Sequence, residues 1–367
     1  MRGYTCRLEG IDALRGFAVV LMVLQHLISW LWNVPPLPAY TLAHTYPVLM
    51  GLNSLGYLSA PLFILLAGIG STLYFKEGSG CRVVLALRGG YIIVLGYLLN
   101  IMVPSWFSLG SWYVLHLIGL CLLLTPFIIK LNTYRLIVLT FCIQTSAVIA
   151  QYFLNTPKFL NNLTMTQVHS LADVLRIALV EGYFPILPWS ALFIVGMIAG
   201  RWILSGNRKL LLKFAIIATF IGFVLSILPL LFPHLRDIPM ISRVTAFSTY
   251  TFPLYPPTAF FLSGLGIASI FAVTCDKEWQ RSVFGRMLLK LGRASLTVFL
   301  LHIFIFREVL GWIGGDHKLD ETETGFALGI ILAIIFCFVS LWERREYRYG
   351  AEWLMRRLIS KGSHRKH

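Results

Sequence analysis

Residues 10–26 read GIDALRGFAVVLMVLQH, an apolar run that carries an aspartate, an arginine and a histidine. It continues to residue 33, which at about 1.5 Å of rise per residue is enough to cross ~30 Å of hydrocarbon as a helix. At about 100° per residue, Arg15 and His26 fall nearly in line, and Asp12 lies on the same side. The rise separates Arg15 from His26 by about 16 Å. One face of the helix therefore carries a charge near one end and an imidazole near the other. Ionisable groups within a bilayer are costly, so each is a functional candidate. The plainer alternatives are an Asp12–Arg15 ion pair at the interface, an Arg15 reaching headgroups along its stem, and a His26 packed into the bundle.

Composition agrees with a membrane location. Hydrophobic residues make up 57% of the 367-residue chain, charged residues 13%, and mean hydropathy is +0.76. A soluble domain carries about 25% charged residues. Lipid cannot satisfy exposed backbone polar groups, so the expected fold class is all-α, a polytopic membrane bundle. Ten runs are long enough to span: 11–33, 55–75, 88–105, 112–131, 135–154, 184–204, 210–232, 251–275, 288–310 and 324–343. The domain expectation is one transmembrane domain over 1–343 and a basic tail over 344–367. The start of the chain does not read as a cleavable signal, and the first helix is expected to stay as an anchor.

The basic residues set an orientation. One set of alternate turns holds Arg7, Lys76, Arg88, Lys130, Arg201, Lys209, Arg286 and the tail, whereas the other holds only a few, such as Lys158 and Arg236. Ten spans place both termini on the basic, cytoplasmic side. The net charge of +15 is then mostly this asymmetry plus attraction to anionic lipid. Nucleic acid is not an expected partner, because the basic residues are spread over short loops. The tail segment WERREYRYGAEWLMRRLISK (342–361) reads as an interfacial helix. Cysteines avoid the outer loops, so no disulfide is expected, and no pair has metal-site spacing. Asn162-Leu163-Thr164 matches a short glycosylation pattern on the outer side.

Further polar residues fall at a similar depth to His26. His116 lies about one turn into the fourth span, His302 about 20 Å up the ninth, and Asn100 near the end of the third. Ser59 and Trp189 also sit near outer helix ends. This layer of histidines on spans 1, 4 and 9 points to a polar cavity. Imidazole suits proton transfer or metal binding. No carboxylate layer accompanies the histidines, so proton transfer is preferred and no metal is expected.

The stretch ID-A-LRG-F-A with a histidine at 26 resembles the first-helix signature of the transmembrane acyltransferase superfamily, and Arg15-x10-His26 has the spacing of its acyltransferase 3 branch. LSAPLFILLAGIG (58–70), WYVLHLIGLCLLL (112–124), GYFPILPWSALFIVGMIAGR (182–201) and LGRASLTVFLLHIFI (291–305) resemble the heparan-alpha-glucosaminide N-acetyltransferase catalytic-domain family and its bacterial relatives. The resemblance implies transfer of an acetyl or other short acyl group from cytoplasmic acyl-CoA to a hydroxyl or amine, often on a glycan, at the outer face. It also implies a multi-pass protein of a bacterial inner membrane.

Under that resemblance Arg15 would meet CoA phosphates, Asp12 would orient it, and His26 would deprotonate the acceptor or carry the acyl group. By their depth alone, Asn100 and His116 are expected to contact the acetyl-CoA donor, and Ser59, Trp189 and His302 the acceptor. In the animal members the reactive histidine lies in the first outer loop, which makes His44 a competing catalytic candidate. The other class weighed is a secondary transporter of a small polar solute, which should show a repeat and broken mid-membrane helices; no repeat is found. Gly325-x3-Gly329 offers a packing face for a second copy, giving a homodimer, or for the bundle itself.

Overall fold

The computed structural model describes residues 9–75, 81–156, 170–245, 254–275, 282–312 and 317–363. The expected acceptor at Asn162 lies outside the described residues. The described chain is helical, with a single isolated bridge between Trp32 and Leu319. The helices are α1 (Glu9–Leu31), α2 (Ala39–Thr45), α3 (Pro47–Gly56), α4 (Ser59–Phe75), α5 (Cys81–Met102), α6 (Val114–Ile128), α7 (Thr133–Phe153) and α8 (Leu171–Arg176). They are followed by α9 (Ile186–Leu204), α10 (Arg208–Leu231), α11 (Pro239–Thr245), α12 (Pro256–Cys275), α13 (Val283–Arg293), α14 (Ser295–Ile303), α15 (Glu321–Glu343) and α16 (Ala351–Ser363).

Among the described residues nine helical stretches are long and apolar enough to cross a membrane. The chain is a multi-pass integral membrane protein. Each of the ten expected runs coincides with a helix, with local differences that have physical causes. The second span begins already at Pro47, because α3 and α4 follow one another across a single turn. The third ends at Met102, since the residue before Pro104 is driven out of helical geometry. The fourth, α6, is the shortest at 15 residues, its start held back by an extended Tyr113. The eighth starts at Pro256, a proline in the first turn where its missing N–H costs nothing. The ninth is interrupted: α13 stops at Arg293, Ala294 leaves helical geometry, and α14 resumes at Ser295. It then widens into a π-helical turn over Phe304–Val309.

The chain divides into two compact units, one of Met1–Leu62 with Val273–His367 and one of Phe63–Ala272. The first unit brings the two ends of the sequence together. In it α1 and α13 touch backbone to backbone at Gly16 and Gly292. A Cβ on Gly16 would lie 1.9 Å from the Leu288 carbonyl oxygen, and one on Gly292 would lie 1.7 Å from the Asp12 carbonyl oxygen. Only glycine permits such an approach, the small-residue packing that membrane helices use in place of a hydrophobic drive. Gln25 packs on Gly56 of α3 in the same unit.

The tail is tied to this unit. Glu352 of α16 accepts hydrogen bonds from the Leu296 N–H at 2.6 Å and the Thr297 N–H at 3.3 Å, and the Thr297 hydroxyl donates to its other oxygen at 2.5 Å. A carboxylate thus satisfies the orphan donors at the start of α14, where the helix dipole favours negative charge. Glu343 bridges Lys290 at 2.9 Å and Arg293 at 3.6 Å. At the opposite end of α1, the Leu319 N–H donates to the Leu31 carbonyl at 3.0 Å and the His317 N–H to that of Trp30 at 2.8 Å. α15 opens with a reciprocal cap, Asp320 accepting from the Glu323 N–H and Glu323 from that of Asp320. Gly325 and Gly329 on α15 face open space.

The second unit uses the same device. A Cβ on Gly68 of α4 would lie 2.1 Å from the Phe193 carbonyl oxygen, and one on Gly196 of α9 would lie 2.1 Å from that of Leu65. Arg201 of α9 donates to the carbonyls of Ile129 at 2.8 Å and Leu131 at 2.6 Å, tying the loop after α6 to α9.

Candidate functional site

The first unit contains a paired cluster at each end of α1. At one end Arg15 donates to Asp12 at 2.9 Å; the aspartate is buried and the arginine partly exposed. The i,i+3 spacing puts both on one face, and the Asp12 carbonyl lies against Gly292. The ion pair expected as one of the plainer alternatives therefore forms. It leaves Arg15 held, with part of its side chain accessible.

At the other end His26 Nδ1 lies 2.9 Å from His302 Nε2. The rings are nearly coplanar, 10° apart, with centroids at 5.2 Å. His302 Nδ1 lies 3.0 Å from the Val298 carbonyl of the preceding turn. The pairing follows from helix register. Gly16 and Gly292 mark where α1 meets α13, His26 stands ten residues beyond the first, and His302 ten beyond the second. At about 1.5 Å per residue His26 rises about 15 Å from the contact, and His302, ten residues on across the break at Ala294, meets it at the same level.

Two residues not singled out in the sequence complete the cluster. Trp30, one turn beyond His26, stacks on it with centroids at 4.9 Å and planes 25° apart. The Arg307 guanidinium lies 5.7 Å from the Trp30 ring centroid, within cation–π range. Trp30 was legible, because i and i+4 share a helix face. Arg307 was not: on a regular helix it would point about 140° from His302, and the π turn changes that rotation. Glu308, beside it in the same turn, is buried.

The remaining expected residues are placed as follows. His44 is exposed on α2 and meets the edge of Tyr40 at 4.4 Å. Ser59 is buried at the first position of α4, three residues past the Gly56 that packs on Gln25. Asn100, His116 and Trp189 belong to the second unit. Asn100 donates to the Ser111 carbonyl at 2.9 Å, holding the turn between α5 and α6. His116 Nδ1 accepts from the Tyr113 N–H at 3.3 Å, capping α6, while its ring stacks on Trp112. The Asn100 Oδ1, Trp112 Nε1 and His116 Nε2 atoms are buried without hydrogen-bond partners among the described residues. Trp189 is fully buried against the edge of Phe184. Of the three expected histidines, the structure brings His26 and His302 into direct contact; His116 carries out a local capping task in its own unit.

The described chain is thus a multi-pass helical bundle in which α1 carries an arginine held by Asp12 and a histidine, His26, paired with His302 of α14. The family model described as heparan-alpha-glucosaminide N-acetyltransferase, catalytic, matches residues 7–223, more than half of the chain, and the protein belongs to this family. The class is therefore that of a membrane acyltransferase. A second model, described as a protein of unknown function (DUF418), matches residues 200–362. No curated protein matches the chain.

Proposed function

We propose that the protein moves an acetyl or other short acyl group from cytoplasmic acyl-CoA to a hydroxyl or amine at the outer face, on a glycan or other small polar acceptor. The observation that carries this reading is that α1 alone bears both a held arginine, Arg15, and the paired imidazole of His26. Arg15 offers CoA phosphates a fixed cation, and Asp12 keeps it in place. The rise of about 16 Å to His26 is comparable to the reach of a pantetheine arm. The reading sets both termini in the cytoplasm, on the strength of the basic-residue asymmetry, and the protein in a bacterial inner membrane. The open Gly325–Gly329 face is where a second copy would pack.

In the proposed reaction His26 takes the acceptor proton as the acceptor oxygen or nitrogen attacks the thioester carbonyl carbon. The carbon–sulfur bond breaks, the sulfur leaves as the CoA thiolate, and His26 returns the proton to it. Trp30 holds the His26 ring, and Ser59 is a proposed acceptor contact in the same unit. No step calls for a metal. His44, exposed on a short helix, is the competing base.

Calorimetric titration of the folded protein in detergent with acetyl-CoA tests the reading. Saturable binding supports it; no binding of acetyl-CoA or any other short-chain acyl-CoA overturns it.

A further inference from the structure

The histidine pair has a direction that follows from what each atom can do. A carbonyl oxygen only accepts, so the 3.0 Å contact with Val298 requires a proton on His302 Nδ1. In a neutral imidazole the other nitrogen is then the acceptor. His302 Nε2 therefore takes the hydrogen bond at 2.9 Å, and His26 Nδ1 must supply the proton. That leaves the lone pair of His26 on Nε2. The opposite polarity needs a charged His302, and the pair lies against Phe299 and Val298 with the Arg307 guanidinium over the adjoining Trp30 ring, so that a further cation there is disfavoured by burial and by like charge.

Resting on the acyl-transfer reading, we propose that His302 is a positioning residue: it locks His26 in the Nδ1–H tautomer and leaves Nε2 as the basic atom. It thus takes the place that a carboxylate holds in a serine–histidine–aspartate triad. When Nε2 accepts a proton, the Nδ1–H bond to His302 becomes charge-assisted and stabilises the imidazolium. When the proton passes to the departing thiolate, the pair returns to its resting state. A neutral partner performs this without a fixed negative charge in the bilayer, which would need a counter-ion of its own. Trp30 restrains the remaining freedom, ring rotation, by stacking on His26. His302 then does not bind the acceptor, the role its depth alone had indicated.

The test is nitrogen-15 NMR of histidine-labelled full-length protein in lipid nanodiscs, without substrate, with His26 assigned by its loss in His26→Gln. The expected spectrum shows His26 protonated on Nδ1 and unprotonated on Nε2. A protonated Nε2 on His26 overturns the proposal. Kinetics supply the second arm. His302→Gln can still accept from His26 and should keep kcat within about threefold. His302→Leu should lose about 100-fold in kcat, the lower range for general-base catalysis, with KM for acetyl-CoA nearly unchanged. An unchanged kcat in His302→Leu with a raised acceptor KM would also overturn it, returning His302 to substrate binding. If the protein proves unable to transfer acyl groups at all, the function fails, whereas the tautomer is read independently from the resting protein.

Discussion

Gly16 and Gly292 meet where α1 and α13 touch, and each is followed ten residues later by one member of the His26–His302 pair. The backbone contact sets the register, and the equal spacing turns that register into a hydrogen bond about 15 Å away. Sequence, packing and chemistry are linked here by one small residue on each helix.

Replacing either glycine tests that link. A Cβ at Gly16 or Gly292 would press on backbone at 1.9 or 1.7 Å, so the helices must separate. Gly16→Val and Gly292→Val should each cost about 1–3 kcal/mol, as overpacking does, and lower the melting temperature in detergent. They should also weaken turnover by misaligning the histidines. Wild-type melting and turnover in both variants would show that the contact does not set the pair.

Arg15 should contribute to donor binding and little to chemistry. A hydrogen bond to a charged group contributes about 1.5–3 kcal/mol, so Arg15→Ala should raise the acetyl-CoA Kd by roughly 10- to 100-fold. Asp12→Asn, which removes the charge that holds Arg15, should give a smaller change in the same direction. Titration calorimetry measures both. Unchanged affinity in Arg15→Ala would return the arginine to a purely structural ion pair.

The tail should stabilise the helix that carries His302. Glu352 closes the start of α14 through three hydrogen bonds. Glu352→Ala removes a charged cap and should cost about 1–2 kcal/mol. A thermal shift assay should show a lower midpoint, with Glu352→Gln intermediate because it can still accept. No shift in Glu352→Ala would mean that water caps α14 equally well.

The helical bundle was legible in the sequence because long apolar runs in a lipid solvent have one answer. The Asp12–Arg15–His26 face was legible for the same reason that it stands out: three ionisable groups on one apolar helix. The break at Ala294 was not, since 288–310 holds no proline to mark it, and neither was the Glu352 cap, which joins residues far apart in sequence. Depth alone grouped His116 with His26 and His302. Depth is a one-dimensional coordinate, and it does not report which helix face meets which. The ALRGF and KLGRA stretches each held the glycine at which the two helices meet, but a glycine in a membrane helix becomes informative only once its partner is known.

In the proposed reaction His26 is the base. The measurement is turnover of His26→Ala and His44→Ala beside wild type, with acetyl-CoA affinity measured on the same preparations. His26→Ala should lose at least about 100-fold in kcat while binding acetyl-CoA within about twofold of wild type, and His44→Ala should keep most of its activity. Full turnover in His26→Ala, with activity lost in His44→Ala, would contradict it.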